Sequence, residues 1–190
     1  MHSNSQSSDE ELLSRLMHGE QDALTTLVER HHRPLLGYLY RMLDGNRVLA
    51  EDFVQETFVR VLQQTSYQGG RPFKPWLYAI ASNLVLDYFR SGHVHHAVFD
   101  EKVLDTVYDP TPSPEERLLI AEEERVVRAA LGQLGAEYRA VLILRFYNDM
   151  SLQEIADSLA IPLGTVKSRL SVGTRRLRQM LSVVKEALPQ

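Results

Sequence analysis

The chain has 190 residues, is 44% hydrophobic and 24% charged, and carries a formal net charge of -4. That composition suits one domain or two small ones with modest cores and excludes a wholly disordered chain. With no cysteine there is no disulfide framework, thiolate zinc site or thiol chemistry, and the longest aliphatic run, Ala140 to Leu144, falls far short of the ~20 residues that span a bilayer.

From the N-terminus, MHSNSQSS is polar, with neither a basic start nor an apolar run, so it reads as no secretion signal or membrane anchor. A soluble, cytoplasmic protein is the expectation. Asp9-Glu10-Glu11 is a charge run on a predicted helix. The next strong signal is VLAEDFVQETFVRVLQ, Val48 to Gln63. Spacings of three and four put Asp52, Gln55, Glu56, Val59 and Arg60 on one side and bury Phe53, Val54, Thr57, Phe58, Val61 and Leu62 on the broader other side. Taken alone, the acidic and amide-bearing side is a solvated outer face.

In FKPWLYAIASNLVLDYFRSGHVHH, Phe73, Trp76, Leu77, Ile80, Leu84 and Tyr88 recur at helical spacing, which indicates a packed stripe with Trp76 in the core. Asn83 and Asp87 lie one turn apart on another face. Single-stranded nucleic acid is held by aromatic and amide groups beside positive charge, which makes this second face a candidate. His93, His95 and His96 close the segment; two are adjacent and no cysteine organises them, so no metal site is expected. An exposed domain end running into a linker is the plainer reading, and a cationic patch that titrates near pH ~6.5 is the other.

VYDPTPSPEE, Val107 to Glu116, contains Pro110, Pro112 and Pro114 and reads as a linker. Ser113, Pro114 and Glu116 then form a helix start, with a capping box around a first-position proline. The expected organisation is all-α: two small helical domains, 1–96 and 114–190, joined by a flexible Pro-rich linker at 97–113.

Charge divides the chain unevenly. Residues 1–100 hold nine Lys and Arg against twelve Asp and Glu, 101–150 hold six against ten, and 151–190 hold six against three. Only the C-terminal end is cationic, which implies separate partners for separate ends. There Ser151-Leu-Gln-Glu154 is a second capping box, and a short helix is predicted from Leu152 to about Leu159. Ala160-Ile161-Pro162 interrupts it, and Pro162 opens a longer helix near its first position. On that helix Val166, Leu170, Leu177 and Leu181 fall on one side, while Gly164, Ser168, Ser171 and Arg175 point the opposite way, flanked by Lys167, Arg169, Arg176 and Arg178. Short helix, tight turn, then a longer helix with a small, hydroxylated and basic outer face is the helix-turn-helix pattern. Small residues allow approach to the major-groove floor, hydroxyls and cations donate to base edges, and flanking arginines meet phosphates.

EYRAVLILRFYNDMSLQEIADSLAIPLGTVKSRL, followed by RRLR, resembles the C-terminal promoter-reading region of extracytoplasmic function (ECF) sigma factors of bacterial RNA polymerase. AEDFVQETFVRVL resembles the sigma segment that grips the clamp helices of the core enzyme. WLYAIASNLVLDYFR resembles the family's W-L-x-x-I-A-x-N-x-x-x-D-x-x-R pattern at Trp76, Leu77, Ile80, Ala81, Asn83, Asp87 and Arg90. The resemblance runs from about Leu12 through Leu181. It implies that Asp52, Gln55, Glu56 and Arg60 meet core RNA polymerase. Asn83, Tyr88 and Arg90 would take the unpaired minus-ten strand, with the loop Gly69 to Lys74 as a pocket wall. Thr165, Lys167, Ser168, Ser171 and Arg175 would read the minus-thirty-five element in the major groove, with Arg169 near a phosphate.

Two departures from the family pattern stand out. Relatives continue Ser-Arg-Ala-Arg where this chain has Ser171-Val172-Gly173-Thr174, so no basic contact is carried to Val172 or Thr174. A helix-interior glycine such as Gly173 also costs about 1 kcal/mol relative to alanine. After Arg90, relatives are basic, whereas this chain reads Ser91-Gly92-His93.

The resemblance further implies an anti-sigma factor as partner, promoter opening by binding energy without ATP, and no cofactor or metal. No P-loop, dinucleotide fingerprint or H-E-x-x-H is present, so the expected role is that of an initiation factor and not an enzyme. The alternatives are a non-sigma regulator binding double-stranded operators as a dimer, and a protein that only sequesters a partner.

Overall fold

A computed structural model describes residues 7–63, 72–92 and 114–187, with side chains at 7–63, 72–92 and 123–182. Among these residues the chain is all helical: α1 (Asp9–Met17), α2 (Gln21–Met42), α3 (Arg47–Gln63), α4 (Phe73–Arg90), α5 (Pro114–Gly132), α6 (Ala136–Phe146), α7 (Leu152–Leu159) and α8 (Leu163–Ala187). The linker expected at 97–113, the hydroxyl cap at Ser113, and His93, His95 and His96 lie outside the described residues. Pro114 does open α5, where its missing N–H leaves no helical bond unmade.

The acidic run that opens α1 has three separate structural uses. Ser8 and Glu11 form a capping box. Asp9 reaches α2, accepting from Arg30 at 2.9 Å and contacting His31 Nε2 at 2.6 Å. Glu10 Oε1 accepts the backbone N–H of Phe73 at 2.9 Å and so caps α4 from 63 residues upstream. The α2–α3 turn is made by Asp44 and Gly45 at φ 56° and 88°, and Asn46 Oδ1 then accepts the Leu49 N–H at 3.1 Å to start α3.

α4 is the centre of the first half. Phe73, Leu77, Ile80, Ala81 and Val85 are buried with Leu12, Leu13, Leu27, Leu35, Leu39, Val54, Phe58 and Val61 from α1, α2 and α3. Each such large apolar side chain contributes about 1.5–3 kcal/mol by leaving water. Trp76, Leu84 and Tyr88 of the expected stripe are only partly buried at its rim. A second buried line, Tyr78, Ser82 and Val85, arises because α4 is also covered on its other side. There Tyr38 and Ser82 hydroxyls meet at 2.8 Å in the interior.

In the second half the run Ala140 to Leu144 is buried on every side. One face of α6 packs on α8, another on α7, and the rest on α2 and α4. The box expected at Ser151 and Glu154 is present, and α7 has the predicted limits. Ala160 ends α7 in the left-handed region at φ 50°. Pro162 stands one position ahead of α8, with its carbonyl accepting from Thr165 and Val166.

The two halves are packed against each other. α7 lies along α4, α6 meets α2 and α4, and α5 meets α2. The seam is polar. Arg139 of α6, 4% exposed, donates to the Met42 carbonyl and to Asp44 Oδ1 at 2.8 Å, and also to the Gly132 and Leu134 carbonyls of its own half. Burial holds its guanidinium below the ordinary value, and the Asp44 charge opposes that shift. Asn148, 8% exposed, donates from Nδ2 to the Tyr78 hydroxyl at 2.7 Å, while its backbone carbonyl accepts from Lys74 Nζ at 2.7 Å. Burial pushes the Tyr38 and Tyr78 phenols well above their ordinary value, so both stay neutral.

Candidate nucleic-acid interface

α8 divides by side as its spacing predicts. Val166 is buried, Leu170 and Leu177 are partly buried against the core, and Gly164, Lys167, Ser168, Ser171 and Arg175 are exposed. Thr165 and Arg169 are half-buried at the edge. The Ser168 hydroxyl donates to the Thr165 carbonyl at 3.0 Å, a local bond within the helix. α7 supports the turn. The Ser151 backbone N–H bond to Glu154 is the chief reason that carboxyl is held below its ordinary value.

Gly173 has a different role from that of a helix defect. It is buried on the Val166 side of α8, where a Cβ would lie 3.2 Å from Leu142 Cδ1. The glycine permits close approach of α8 to α6. Val172 and Thr174 on either side are half-buried, so the departure SVGT combines a packing requirement with a less cationic edge. A repeat of Val166, Leu170, Gly173, Leu177 and Met180 at four and three would have placed Gly173 inside.

On α4, Asn83, Asp87 and Arg90 are exposed and Tyr88 is half-buried. Arg90 Nη1 bonds Asp87 Oδ1 at 2.7 Å, so the cation is held one turn beyond Asn83. Tyr88 stacks edge-on against Phe53 and Phe89, which leaves it as part of the wall beneath that face. The loop expected from Gly69 to Lys74 ends earlier. Gly69, Gly70 and Arg71 lie outside the described residues, whereas Phe73 and Lys74 already belong to α4. Phe73 is fully buried beside His31 and Trp76, and the Lys74 amine is engaged by Asn148.

On α3, Asp52 and Gln55 are exposed, and Glu56 and Arg60 bond each other at 2.8 Å. One expectation is corrected here: Leu62 is 50% exposed and Phe53 only partly buried, while Val54, Thr57, Phe58 and Val61, with Ala50 before them, reach the interior. With Val48 at 66% and Val59 at 42%, Leu62 gives this face apolar positions among the polar ones. Val48, Asp52, Gln55, Val59 and Leu62 repeat at four, three, four and three, the spacing of a seam for another helix. That periodicity was available in the sequence.

Among the described residues no group of three His, Cys, Asp or Glu is placed to hold a metal ion, and no helix is long and apolar enough to cross a membrane.

Comparison with known proteins agrees with this layout. Residues 27–93 match Sigma-70 region 2, and residues 130–179 match Sigma-70, region 4. The ECF RNA polymerase sigma factor SigW of Bacillus subtilis (strain 168) is 32% identical over 182 residues, covering 89% of this chain and 94% of that protein. SigL, an ECF RNA polymerase sigma factor of Mycobacterium tuberculosis (strain ATCC 25618 / H37Rv), is 37% identical over 168 residues, covering 85% of this chain and 90% of its own. Among solved structures, CnrH in complex with the cytosolic domain of CnrY has a TM-score of 0.69 at 24% identity, covering 93% of this chain and 99% of that one. The sigma factor RpoE in complex with the anti-sigma factor NepR, from Bartonella quintana, has a TM-score of 0.62 at 24% identity, with 84% and 96% covered. Those two likenesses establish the shared fold, and the two family regions with their long, well-covered relatives establish the lineage: this chain belongs to the ECF sigma factors, the transcription initiation factors that direct RNA polymerase to promoters.

Proposed function

We propose that this sigma factor divides promoter reading between its halves, 1–96 and 114–190. The α3 face of Asp52, Gln55, Glu56 and Arg60 binds core RNA polymerase, its exposed Val48, Val59 and Leu62 adding apolar contacts. Asn83 and Arg90, with Tyr88 beneath them, take the minus-ten region as a single strand. Thr165, Lys167, Ser168, Ser171 and Arg175 enter the major groove of the minus-thirty-five element, and Arg169 meets a phosphate. Strand separation draws on binding energy alone.

The observation that carries this reading is the sidedness of α8. A buried edge of Val166 and Gly173 seats the helix, and the exposed edge combines small residues, hydroxyls and cations where a groove can receive them. An inhibitory protein partner completes the proposal, since RpoE was solved in complex with the anti-sigma factor NepR and CnrH in complex with the cytosolic domain of CnrY.

Runoff transcription with core polymerase plus this chain tests the proposal. Promoter-dependent transcripts that vanish without the chain are expected. Binding of duplex DNA as a dimer with no transcript would identify an operator-binding regulator, and absence of any DNA binding would identify a sequestering protein.

A further inference from the structure

We propose that Leu163 is a further specificity residue, reading the C5-methyl group of a thymine in the major groove, an inference that rests on the proposed seating of α8 in the minus-thirty-five element. Leu163, Lys167, Ser171 and Arg175 follow one another at a spacing of four and form a single ridge along α8, and all four are exposed. The last three carry the hydroxyl and cationic donors that suit base edges and phosphates. The side chain that heads the ridge has no polar atom, yet it is 37% exposed. Its apolar neighbours are placed differently: Leu159, Ile161 and Leu170 pack on the core and Val166 is buried within it.

Local structure keeps Leu163 at the tip. Pro162 stands just ahead of α8 and its carbonyl accepts from Thr165 and Val166, so the first turn is closed and Leu163 is the first residue of the helix. That is the end with which a recognition helix meets base edges. Gly164 follows, where an added Cβ would meet nothing within 4 Å, so no side chain screens the leucine on that side. The chemistry then selects the ligand. Donors and acceptors on base edges offer an aliphatic group nothing, whereas thymine presents a methyl in the major groove. 5-Methylcytosine is the other source of that group. One leucine on a ridge with a lysine, a serine and an arginine is too small an apolar patch to dock a protein chain. At about 1.5 Å per residue, Leu163 stands about 6 Å along α8 from Lys167 and about 12 Å from Ser171, so it serves one end of the element.

Duplexes with randomised upstream and downstream blocks, selected on the complex of this chain with core RNA polymerase, supply the element. Each thymine of the upstream block is then replaced in turn by uracil, which removes only the C5-methyl. One replacement, at an end of the selected element, should weaken binding about three- to fivefold, the effect of one buried methyl. Leu163→Ala should bind the thymine duplex more weakly and be indifferent to that replacement. Its dependence of log affinity on log salt should keep the unsubstituted slope, because no phosphate contact is lost, and its helical circular dichroism should be unchanged. Equal sensitivity of the two chains to every replacement, or sensitivity of neither, overturns the thymine contact. So does a gain in affinity from 5-methylcytosine that needs Leu163 while no uracil duplex loses any, which would move the contact to modified cytosine. If selection enriches no upstream sequence, the seating of α8 in the groove is what fails, and the leucine contact falls with it.

Discussion

Gly173 offers a test in which helix propensity and packing oppose each other. A Cβ at this position would lie 3.2 Å from Leu142 Cδ1, 3.4 Å from Leu142 Cγ and 3.5 Å from Tyr138 Cβ. Leu142 is 1% exposed, so its methyl has little room to withdraw. Alanine gains about 0.8–1 kcal/mol in helix propensity over glycine. The few tenths of an ångström that Leu142 must yield offset most of that gain, so Gly173→Ala should change stability by no more than about 0.5 kcal/mol. Valine brings two further methyl groups to the same contact. Overpacking of about 1–3 kcal/mol then exceeds its small propensity advantage, and Gly173→Val should destabilise by roughly 1–2.5 kcal/mol. Urea unfolding of the full chain, followed by circular dichroism and compared at unchanged m-value, measures both. Combining Gly173→Val with Leu142→Ala should recover roughly 1–2 kcal/mol relative to additivity, since the cavity accepts the new methyls. Stabilisation by both single variants, with no coupling to Leu142, would refute the close approach of α8 to α6.

Three more outcomes follow from the faces described. Charge reversal at Asp52 or Glu56 should abolish pull-down of core polymerase while the helical circular dichroism spectrum is kept; retention would remove α3 from the polymerase contact. Val172→Arg, on the less cationic edge of α8, should tighten promoter-DNA binding and steepen its dependence on log salt by about 0.9 for one added phosphate contact. An unchanged slope would place Val172 away from the DNA. For acid stability, the depressed Glu154 carboxyl contributes stabilisation that is complete above the ordinary carboxyl value of 4.5 and is lost as pH falls through its lower folded value. Glu154→Gln keeps a hydrogen-bonding side chain but cannot titrate, so the stability gap between the two chains should narrow on acidification across that window.

Local order and side were legible in the sequence because they depend on near neighbours. The Ser151 and Glu154 box, the limits of α7, the exposed edge of α8 and the exposure of Asn83 all follow from offsets of three and four residues. What could not be read depends on partners distant in the chain. Arg139 looks like any helix arginine until Asp44, 95 residues earlier, is placed beside it. Asn148 resembles a turn residue, yet it is buried against Tyr78. Phe73 fits both the helical stripe and the loop that the resemblance implies, and the acceptor that starts its helix, Glu10, is in α1. Leu62 falls by spacing at the edge of the broad face expected inside, where Phe58, one turn before it, and Val61, its neighbour, fill the interior and Leu62 is left 50% exposed.

The bond from Glu10 to the Phe73 N–H also bears on the order in which the protein is made. α1 leaves the ribosome before α4, and Glu10 meets the Phe73 N–H only after a further 63 residues have been synthesised. Until then α1 can be retained by Asp9 on Arg30 and His31, once the middle of α2 has emerged. The Glu10 bond thus joins the beginning of α1 to the beginning of α4. A fusion partner or deletion that disturbs Asp9 or Glu10 would act on the start of α4, although it lies far from that helix in the gene.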